Sequence, residues 1–413
     1  MAEHFVKSGY QVFIVTGWRP NMEREELVNG VNVYRVGGGF IEKVRSSLRG
    51  HECTASFKEK QTVSQFPAKR GFSDMLKVLH DHTWKNIYWP DFACTWYFPA
   101  LNMAKSLFAK HSFSHYITAS IPFTAHLVGN KLKKVYRDKR WIVDISDPFC
   151  FESSHNNNNK IYAKLNIFIE RSVFKNAQAI SILTKLQKDK YTECYPESAG
   201  KMFLNPNILS LDVSQFKENS GTIFNGNPKV RLVFIGNLIP GVRTPELLLE
   251  IFSLLVNSKS AENIELHLFG NLDYCKEAFI AYSHLIGRSI FLHGSVPRST
   301  ALQAMKDADF LVNIGNNNPY QEPSKVIEYI STGKPIINIK SIKDDSSAAL
   351  LEHYTAVFNV YRNSPGQLAE TASKLAQYLL LPPSVDTNEL KNWLKPYRIE
   401  SIVNNYLTML FGY

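Results

Sequence analysis

The feature that most constrains this chain is an alternation of short apolar, β-branched runs with longer amphipathic segments. Such runs predict strands, and the segments between them predict helices that cross from one parallel strand to the next. In the first half, the predicted strands are Gln11–Thr16, Val31–Val36, His115–Thr118, Trp141–Ile145 and Ala179–Leu183. The predicted helices there are Ser73–His80, Trp96–Lys110, Pro122–Tyr136 and Ile161–Lys175. The stretch between Gly37 and Phe72 has no clear period and is predicted to be a long loop.

The same alternation restarts after a polar, turn-rich segment, residues 206–228. Its predicted strands are Val230–Ile235, Ile264–Phe269, Ile290–His293, Phe310–Ile314 and Pro335–Ile339. Its predicted helices are Pro245–Val256, Asp273–Ile286, Thr300–Asp307 and Ser324–Ser331. The fold class is therefore α/β, with two Rossmann-like domains, 1–205 and 229–395, joined by the hinge 206–228. We expect a cleft between the carboxyl ends of their two sheets, where ligands bind in such folds.

Length and composition exclude several classes of protein. The 413 residues suffice for two or three domains of about 100–200 residues, and 44% apolar residues argue against a disordered chain. No run of about 18 apolar residues predicts a transmembrane helix, and the N-terminus lacks the pattern of a signal peptide. The five cysteines show no short ligand spacing, which argues against a zinc site or a disulfide framework. These observations predict a cytoplasmic protein.

The net charge of +10 is unevenly distributed. One segment contains several basic residues and a single acidic residue, Asp138; the basic residues are Lys131, Lys133, Lys134, Arg137, Lys139 and Arg140. Such a patch suits an anionic membrane surface or phosphates, and a solvated helix face is the plainer alternative. Nucleic acid is not predicted as a partner, because no aromatic platform is interleaved with the basic residues.

The densest functional signal is Pro319–Pro335, where a helix opens at Ser324 after a strand and an Asn-rich loop. Free amide groups at the start of that helix and the Lys325 ammonium can act on a diphosphate. Glu328, three residues further on the same face, can accept hydrogen bonds from a ribose diol. An ordinary surface ion pair between Lys325 and Glu328 is the alternative from spacing alone.

Two weaker signals also follow predicted strands. Gly236 closes one strand tightly, and Arg243 stands just before the next helix, where a guanidinium can clamp phosphate oxygens. Asp147, beyond another strand, can act as a general base or hold sugar hydroxyls, although an Asp before Pro is also a routine turn residue. Asp144 and Asp147 are predicted to point to opposite faces, which does not match a metal-binding pair.

Taken in order, these segments resemble the group 1, retaining family of GT-B glycosyltransferases of bacterial capsule, O-antigen and exopolysaccharide synthesis. The resemblance is carried by GYQVFIVTG, ITASIPFTAHLVGNKLKK, WIVDISDPF, LVFIGNLIPGVRTPELLLEIF, HGSVPRSTALQAMKDADFLVNI and EPSKVIEYISTGKPII. It implies transfer of a sugar, with retention, from a nucleotide-diphosphate sugar to a glycan or polyprenyl-diphosphate-linked acceptor. It implies no metal and no cofactor, and a place in the cytoplasm or on the inner face of the plasma membrane.

The resemblance also implies roles for individual residues. Glu328 matches the second glutamate of the family's E-x7-E motif, expected at the donor ribose, and Arg243 matches the basic residue that holds the diphosphate. Ser295 and Val296 fall in the loop that meets the nucleobase through its backbone. The remaining donor-site residues are Gly236, Asn237, Ser324 and Lys325, and the catalytic residues are expected to be Asp147, Arg243 and Lys325.

The sequence departs from the family pattern at two positions. Tyr320 stands where the first glutamate would be, and Asn237 stands where an arginine often follows the glycine. Because of these departures, a non-catalytic partner in a polysaccharide assembly complex remains an alternative function for the chain. A GT-B nucleotide-sugar 2-epimerase is a further alternative, but it would need acid and base residues for which the sequence shows no clear set.

The resemblance makes two predictions about the ends of the chain. The C-terminal helix, 398–413, is expected to cross back and complete the first domain. A protein of this family normally begins with a strand and a glycine-containing loop before the helix that leads into GYQVFIVTG. Since Met1–Ser8 matches only the end of that helix, the first domain is expected to lack its first strand.

Overall fold

The structure is a computed structural model that describes residues 1–20, 22–38, 88–151, 158–211, 222–224, 230–257, 263–362 and 366–412. These residues form two compact units. The first contains the described residues up to Pro206 together with those from Ile399 onward, and the second contains those of Asn207–Arg398. The predicted helix Ser73–His80 and nearly all of the long loop predicted after Gly37 lie outside the described residues.

The first unit contains two sheets. In the three-stranded sheet, β1 (Phe13–Gly17) pairs in parallel with β3 (Val31–Val36), and β2 (Glu25–Val28) pairs with β3 in the opposite direction. The four-stranded sheet is parallel, in the order β4 (His115–Ala119), β5 (Arg140–Ile145), β6 (Ala179–Ile182) and β7 (Met202–Leu204). The sequence did not predict β2 and β7, which are short and largely exposed and therefore lack a clear apolar pattern.

Helices cover these sheets: α1 (Ala2–Lys7), α2 (Tyr97–Lys110), α3 (Thr124–Val135), α4 (Asn159–Asn176) and α5 (Lys185–Cys194). The core around β5 contains Trp141, Val143 and Ile145, all nearly inaccessible to solvent. Phe123 and Phe149 stack against this cluster with ring centroids 3.7 Å apart. β5 is apolar over most of its length because helices pack on both of its faces.

The second unit contains one six-stranded parallel sheet in the order β10-β9-β8-β11-β12-β13. The strands are β8 (Val230–Ile235), β9 (Ile264–Phe269), β10 (Ile290–Gly294), β11 (Phe310–Ile314), β12 (Ile336–Lys340) and β13 (Val357–Tyr361). Numbered within the unit, this is the Rossmann order 3-2-1-4-5-6. The order reverses between β8 and β11, which are neighbours in the sheet.

The helices of this unit are α6 (Glu246–Val256), α7 (Arg298–Asp307), α8 (Lys325–Ser331), α9 (Ser346–Leu351), α10 (Gln367–Leu380) and α11 (Thr387–Trp393). The α-helix predicted at Asp273–Ile286 is instead a 3₁₀ segment, Asp273–Leu285, which leaves helical geometry at Cys275 and Tyr282. Several of its aromatic and short polar side chains are poor α-helix formers. The strand β13 and the helices α9, α10 and α11 were not predicted from the sequence.

The sheet of the second unit is buried on both faces. All five residues of β11 are buried, as expected for a central parallel strand. One face packs on α6 and α10 through residues such as Phe252 and Leu375, and the other packs on α7 and α8 through residues such as Met305 and Ile327.

The last helix, α12 (Ile399–Phe411), lies in the first unit. Arg140 Nε donates a 2.9 Å hydrogen bond to the Met409 carbonyl, and Asn405 Nδ2 donates one of 3.1 Å to Asn205 Oδ1. The rings of Phe5 and Tyr406 also contact each other edge to face. None of the helices in the described ranges is both long and apolar enough to span a membrane.

Candidate functional site

The predicted donor-site residues of the second unit cluster at the carboxyl ends of its strands. β8 is followed directly by Gly236 and Asn237, and β11 is followed by the Asn-rich loop that leads to Lys325 and Glu328. Because β8 and β11 are neighbours at the point where the strand order reverses, the two loops flank the topological switch point of the sheet. This is the position where open α/β sheets bind ligands.

The turn after β8 is held by close contact with the turn after β9. The Gly236 amide donates a 2.9 Å hydrogen bond to the Phe269 carbonyl. Gly270 has φ of 127°, and a Cβ there would lie 1.9 Å from the Gly236 carbonyl oxygen, so only glycine fits. Asn237 is exposed, and its Oδ1 accepts a 2.9 Å hydrogen bond from the Asn271 amide. Asn237 thus joins the two turns.

Arg243 is fixed by the loop that follows β11. Its Nε and Nη2 donate hydrogen bonds of 3.2 and 2.8 Å to Asn316 Oδ1, and Asn316 Nδ2 donates one of 2.8 Å to the Gln321 carbonyl. Burial lowers the pKa of the guanidinium, and the nearby Asp345 carboxylate opposes this shift. A guanidinium remains charged even so. The arrangement is therefore a preset cation at the carboxyl end of β8.

Lys325 and Glu328 form an ion pair that differs from an ordinary surface pair. The Lys325 Nζ to Glu328 Oε2 distance is 2.5 Å, and Glu328 is only 4% exposed. Glu328 Oε1 also accepts a 2.6 Å hydrogen bond from Ser210 Oγ and lies 3.6 Å from Arg298 Nη2. Arg298 in turn donates hydrogen bonds of 3.3 and 3.2 Å to the Ser210 carbonyl and Oγ.

These contacts keep Glu328 ionised. Burial by itself raises the pKa of its carboxyl, but the hydrogen bonds from Lys325 and Ser210 and the charges of Lys325 and Arg298 outweigh it. The net result is a pKa below the ordinary value. A buried carboxylate that is kept charged can accept hydrogen bonds from hydroxyl groups of a ligand.

The other predicted residues of the second unit lie at the same sheet edge. Ser295 and Val296 follow β10; Ser295 is exposed and Val296 is half-buried. Ser324 is exposed and precedes α8, but its side chain forms no capping hydrogen bond. The cationic side chains near these residues are Lys325, Arg298 and Arg243.

Asp147 belongs to the first unit. It lies two residues beyond the end of β5, in the loop Ser146–Phe149, and is partly buried. Asp144 lies within β5, where its Oδ1 accepts a 2.7 Å hydrogen bond from Ser181 Oγ and where burial raises the pKa of its carboxyl. Tyr406 of α12 also hydrogen-bonds this carboxylate, so the contacts of Asp144 lie within the first unit.

Four further residues of this region were not predicted from the sequence: Ser210, Arg298, Asn316 and Glu322. Ser210 and Arg298 both contact Glu328, Asn316 connects Arg243 to the loop before α8, and Glu322 accepts a 2.9 Å hydrogen bond from Asn207. The run GNNNPY after a buried strand was the one signal that pointed to Asn316. The part of the chain that the structure describes contains no group of three or more His, Cys, Asp or Glu arranged to hold a metal ion.

Comparison with known proteins identifies the fold. No family model and no curated protein matches the chain. Among solved structures, the chain is similar to TarM, with 14% identity, a TM-score of 0.54, and coverage of 76% of this chain and 58% of TarM. The chain therefore spans less than two thirds of the length of TarM.

Two further structures cover more of their own length. One is Alr3699/HepE from Anabaena in complex with UDP-glucose, with 12% identity, a TM-score of 0.55, and coverage of 76% of this chain and 82% of that one. The other is a glycosyltransferase from Rickettsia africae, with 11% identity, a TM-score of 0.53, and coverage of 100% and 92%. The chain therefore has the GT-B fold, with two Rossmann-like α/β domains, as predicted.

Proposed function

We propose that this protein is a retaining, metal-independent glycosyltransferase. It moves a sugar from a nucleotide-diphosphate sugar to a hydroxyl of a glycan or polyprenyl-diphosphate-linked acceptor, in the synthesis of a cell-surface polysaccharide. The GT-B fold and the similarity to a structure in complex with UDP-glucose support this proposal. The proposed setting is the cytoplasm, at the inner face of the plasma membrane.

One observation carries the proposal: cationic side chains and a buried carboxylate lie together at the carboxyl ends of β8 and β11, where the strand order of the six-stranded sheet reverses. Arg243 and Lys325 supply positive charge for a diphosphate, and Glu328, whose pKa is lowered, supplies a carboxylate acceptor for ribose hydroxyls. In glycosyl transfer, negative charge grows on the diphosphate as its bond to the sugar breaks. Preset cations stabilise that charge more than the ground state, and this difference accelerates the reaction.

The remaining predicted residues take supporting roles in the proposal. The backbone at Ser295 and Val296 receives the nucleobase, the turn at Gly236 and Asn237 lets the donor approach closely, and Ser324 lies beside the diphosphate. Asp147 acts on the acceptor side, by orienting or deprotonating the attacking hydroxyl. No cofactor takes part.

A screen of nucleotide sugars for thermal stabilisation tests the proposal. A ligand that binds the folded protein raises the melting temperature by mass action, and at about 100 times Kd it adds about 2.7 kcal/mol to the free energy of unfolding. We expect at least one nucleotide-diphosphate sugar to stabilise the protein, and its free sugar not to do so.

The departures at Tyr320 and Asn237 define the competing outcome. If no common nucleotide sugar stabilises the protein and no radiolabelled donor binds, the proposed transferase activity is contradicted. The non-catalytic partner in a polysaccharide assembly complex would then be favoured. If a nucleotide sugar binds but no sugar is transferred to any acceptor, the proposed donor site is supported and the proposed catalytic activity is contradicted.

A further inference from the structure

The helix α4 exposes an unusual amount of apolar surface. Phe168, Ile167 and Leu165 are 68%, 46% and 43% exposed, and Ile161, before a break in the helix at Tyr162, is 59% exposed. The opposite face carries Asn166, Glu170, Val173 and Phe174, which are fully buried. Leu165 and Phe168, three residues apart, are neighbours on the exposed face and form one apolar patch.

The exposed face of α4 is also positively charged. Lys164 and Lys175 lie four residues before and seven residues after Phe168, which places them on its side of the helix. Both are exposed, and neither forms an ion pair within the described residues. Glu170 is the one acidic residue of α4, and it is buried, where Tyr191 and Tyr195 donate hydrogen bonds to it.

The helix α3 extends this charge. It packs beside α4, where Asn130 Nδ2 donates a 3.2 Å hydrogen bond to Ser172 Oγ and Asn176 Nδ2 donates one of 2.7 Å to Asn130 Oδ1. Lys131 and Lys134 of α3 are exposed next to this junction, and α3 contains no acidic residue. Arg171 of α4 pairs with Glu197, whereas the ion pairs of the described residues include none at Lys131, Lys134, Lys164 or Lys175.

The basic segment found in the sequence is only partly available to a partner. Lys133 Nζ donates 2.7 Å hydrogen bonds to the Arg137 and Lys139 carbonyls in the segment that follows α3. Arg140 Nε is bound to the Met409 carbonyl, and Lys139 pairs with Asp138. Because these three cations are engaged within the chain, the segment 131–140 alone does not make a binding surface.

We propose that the exposed face of α4, together with Lys131 and Lys134 of α3, binds the interface of a membrane that contains anionic lipid. Apolar side chains flanked by lysines match a bilayer surface: the apolar groups enter the acyl boundary and the ammonium groups reach lipid phosphates. The inference rests on the membrane contact in the proposed function and names the surface that makes it.

The test is sedimentation of the full chain with vesicles of phosphatidylcholine, with and without phosphatidylglycerol. We expect binding that requires phosphatidylglycerol. Phe168→Glu should weaken it at least about tenfold, since the substitution removes apolar area and adds a repelled charge. The paired change Lys164→Ala with Lys175→Ala should weaken binding by roughly fivefold for each lysine.

Matched controls separate this surface from general effects. Leu381 in the second unit is 84% exposed, and Leu381→Glu should leave vesicle binding unchanged. Lys276→Ala, at an exposed lysine of the second unit, should also have no effect. Circular dichroism and the melting temperature report whether each variant is folded, and stabilisation by nucleotide sugars, measured without vesicles, tests the donor site independently.

Three results would overturn the proposal. The first is no sedimentation of the wild type with phosphatidylglycerol vesicles, and the second is equal sedimentation of the wild type and Phe168→Glu. The third is a change in oligomeric state on Phe168→Glu, measured by analytical ultracentrifugation, with vesicle binding unaffected. That third result would assign the face to contact between copies of this chain.

Discussion

Among single residues, Glu322 has an ionisation that should affect stability near neutral pH. It lies in the loop before α8, and Asn207 Nδ2 donates a 2.9 Å hydrogen bond to its Oε1. Burial raises the pKa of its carboxyl to about 7, and the hydrogen bond opposes this rise only in part. The folded protein therefore binds a proton here that the unfolded chain has released at the same pH.

The ionisation of Glu322 predicts how the stability of the protein depends on pH. Between pH of about 4.5 and 7, Glu322 binds more protons in the folded state than in the unfolded chain. The stability that Glu322 contributes is therefore present below this range and is lost as the pH rises through it. Each unit of pH costs on the order of 1 kcal/mol. Glu322→Gln should therefore gain melting temperature relative to the wild type between pH 5 and pH 8.

The matched control is Glu352→Gln, at an exposed glutamate of the same unit. Its melting temperature should follow that of the wild type across the same range. A constant difference between Glu322→Gln and the wild type at every pH would show that Glu322 does not titrate in this range.

The residues of the candidate site differ in how far the sequence could predict them. Lys325 and Glu328 are three residues apart in one helix, so their contact follows from local geometry. Ser210 and Asn316 contact Glu328 and Arg243 across 118 and 73 residues of sequence, and only the fold brings them together. Local spacing thus predicts that the Lys325–Glu328 pair exists, but not that it is buried.

At the scale of elements, a ladder of asparagines fixes the register of three strands. Asn313, Asn338 and Asn359 are directly opposite one another in β11, β12 and β13. Asn313 Nδ2 donates a 2.7 Å hydrogen bond to Asn338 Oδ1, and Asn338 Nδ2 donates one of 2.9 Å to Asn359 Oδ1. A one-residue slip would move these amides to the other face and leave them unpaired.

Removal of the middle amide should be costly. Asn338 is fully buried, so Asn338→Ala leaves polar groups of its neighbours without partners, at about 1–3 kcal/mol for each buried group. Asn359→Ala should cost less, because it breaks one bond at the exposed end of the ladder. Chemical unfolding of the second unit measures both, and an equal cost for the two variants would contradict this account of the ladder.

The same elements show which parts of the fold were predictable. Buried strands such as β9 and β11 were predicted at their observed bounds, because parallel strands covered on both faces read as continuous apolar runs. The segment Asp273–Leu285 was predicted as an α-helix and is a 3₁₀ segment. Its apolar spacing resembles a helix, but its residue types favour that geometry weakly.

At the scale of the whole molecule, the prediction of an α/β chain with two Rossmann-like domains is confirmed. Two series of strands that alternate with helices leave few other folds, because each parallel crossover must be right-handed and must cover a sheet face. Function is less constrained, since one fold supports many reactions. The proposed glycosyltransferase activity therefore depends on the side chains at the carboxyl ends of the strands in the second unit.

The central claim is that Arg243 binds the diphosphate of a nucleotide ligand. The most direct test is titration calorimetry of the wild type and Arg243→Gln with the best-binding nucleoside diphosphate and with its nucleoside. Loss of a charge-assisted pair should weaken the affinity of Arg243→Gln for the diphosphate by roughly ten- to a hundredfold. Its affinity for the nucleoside should be unchanged. The control Arg288→Gln, at an exposed arginine, should bind both ligands as the wild type does. Equal affinity of the wild type and Arg243→Gln for the diphosphate would contradict the claim.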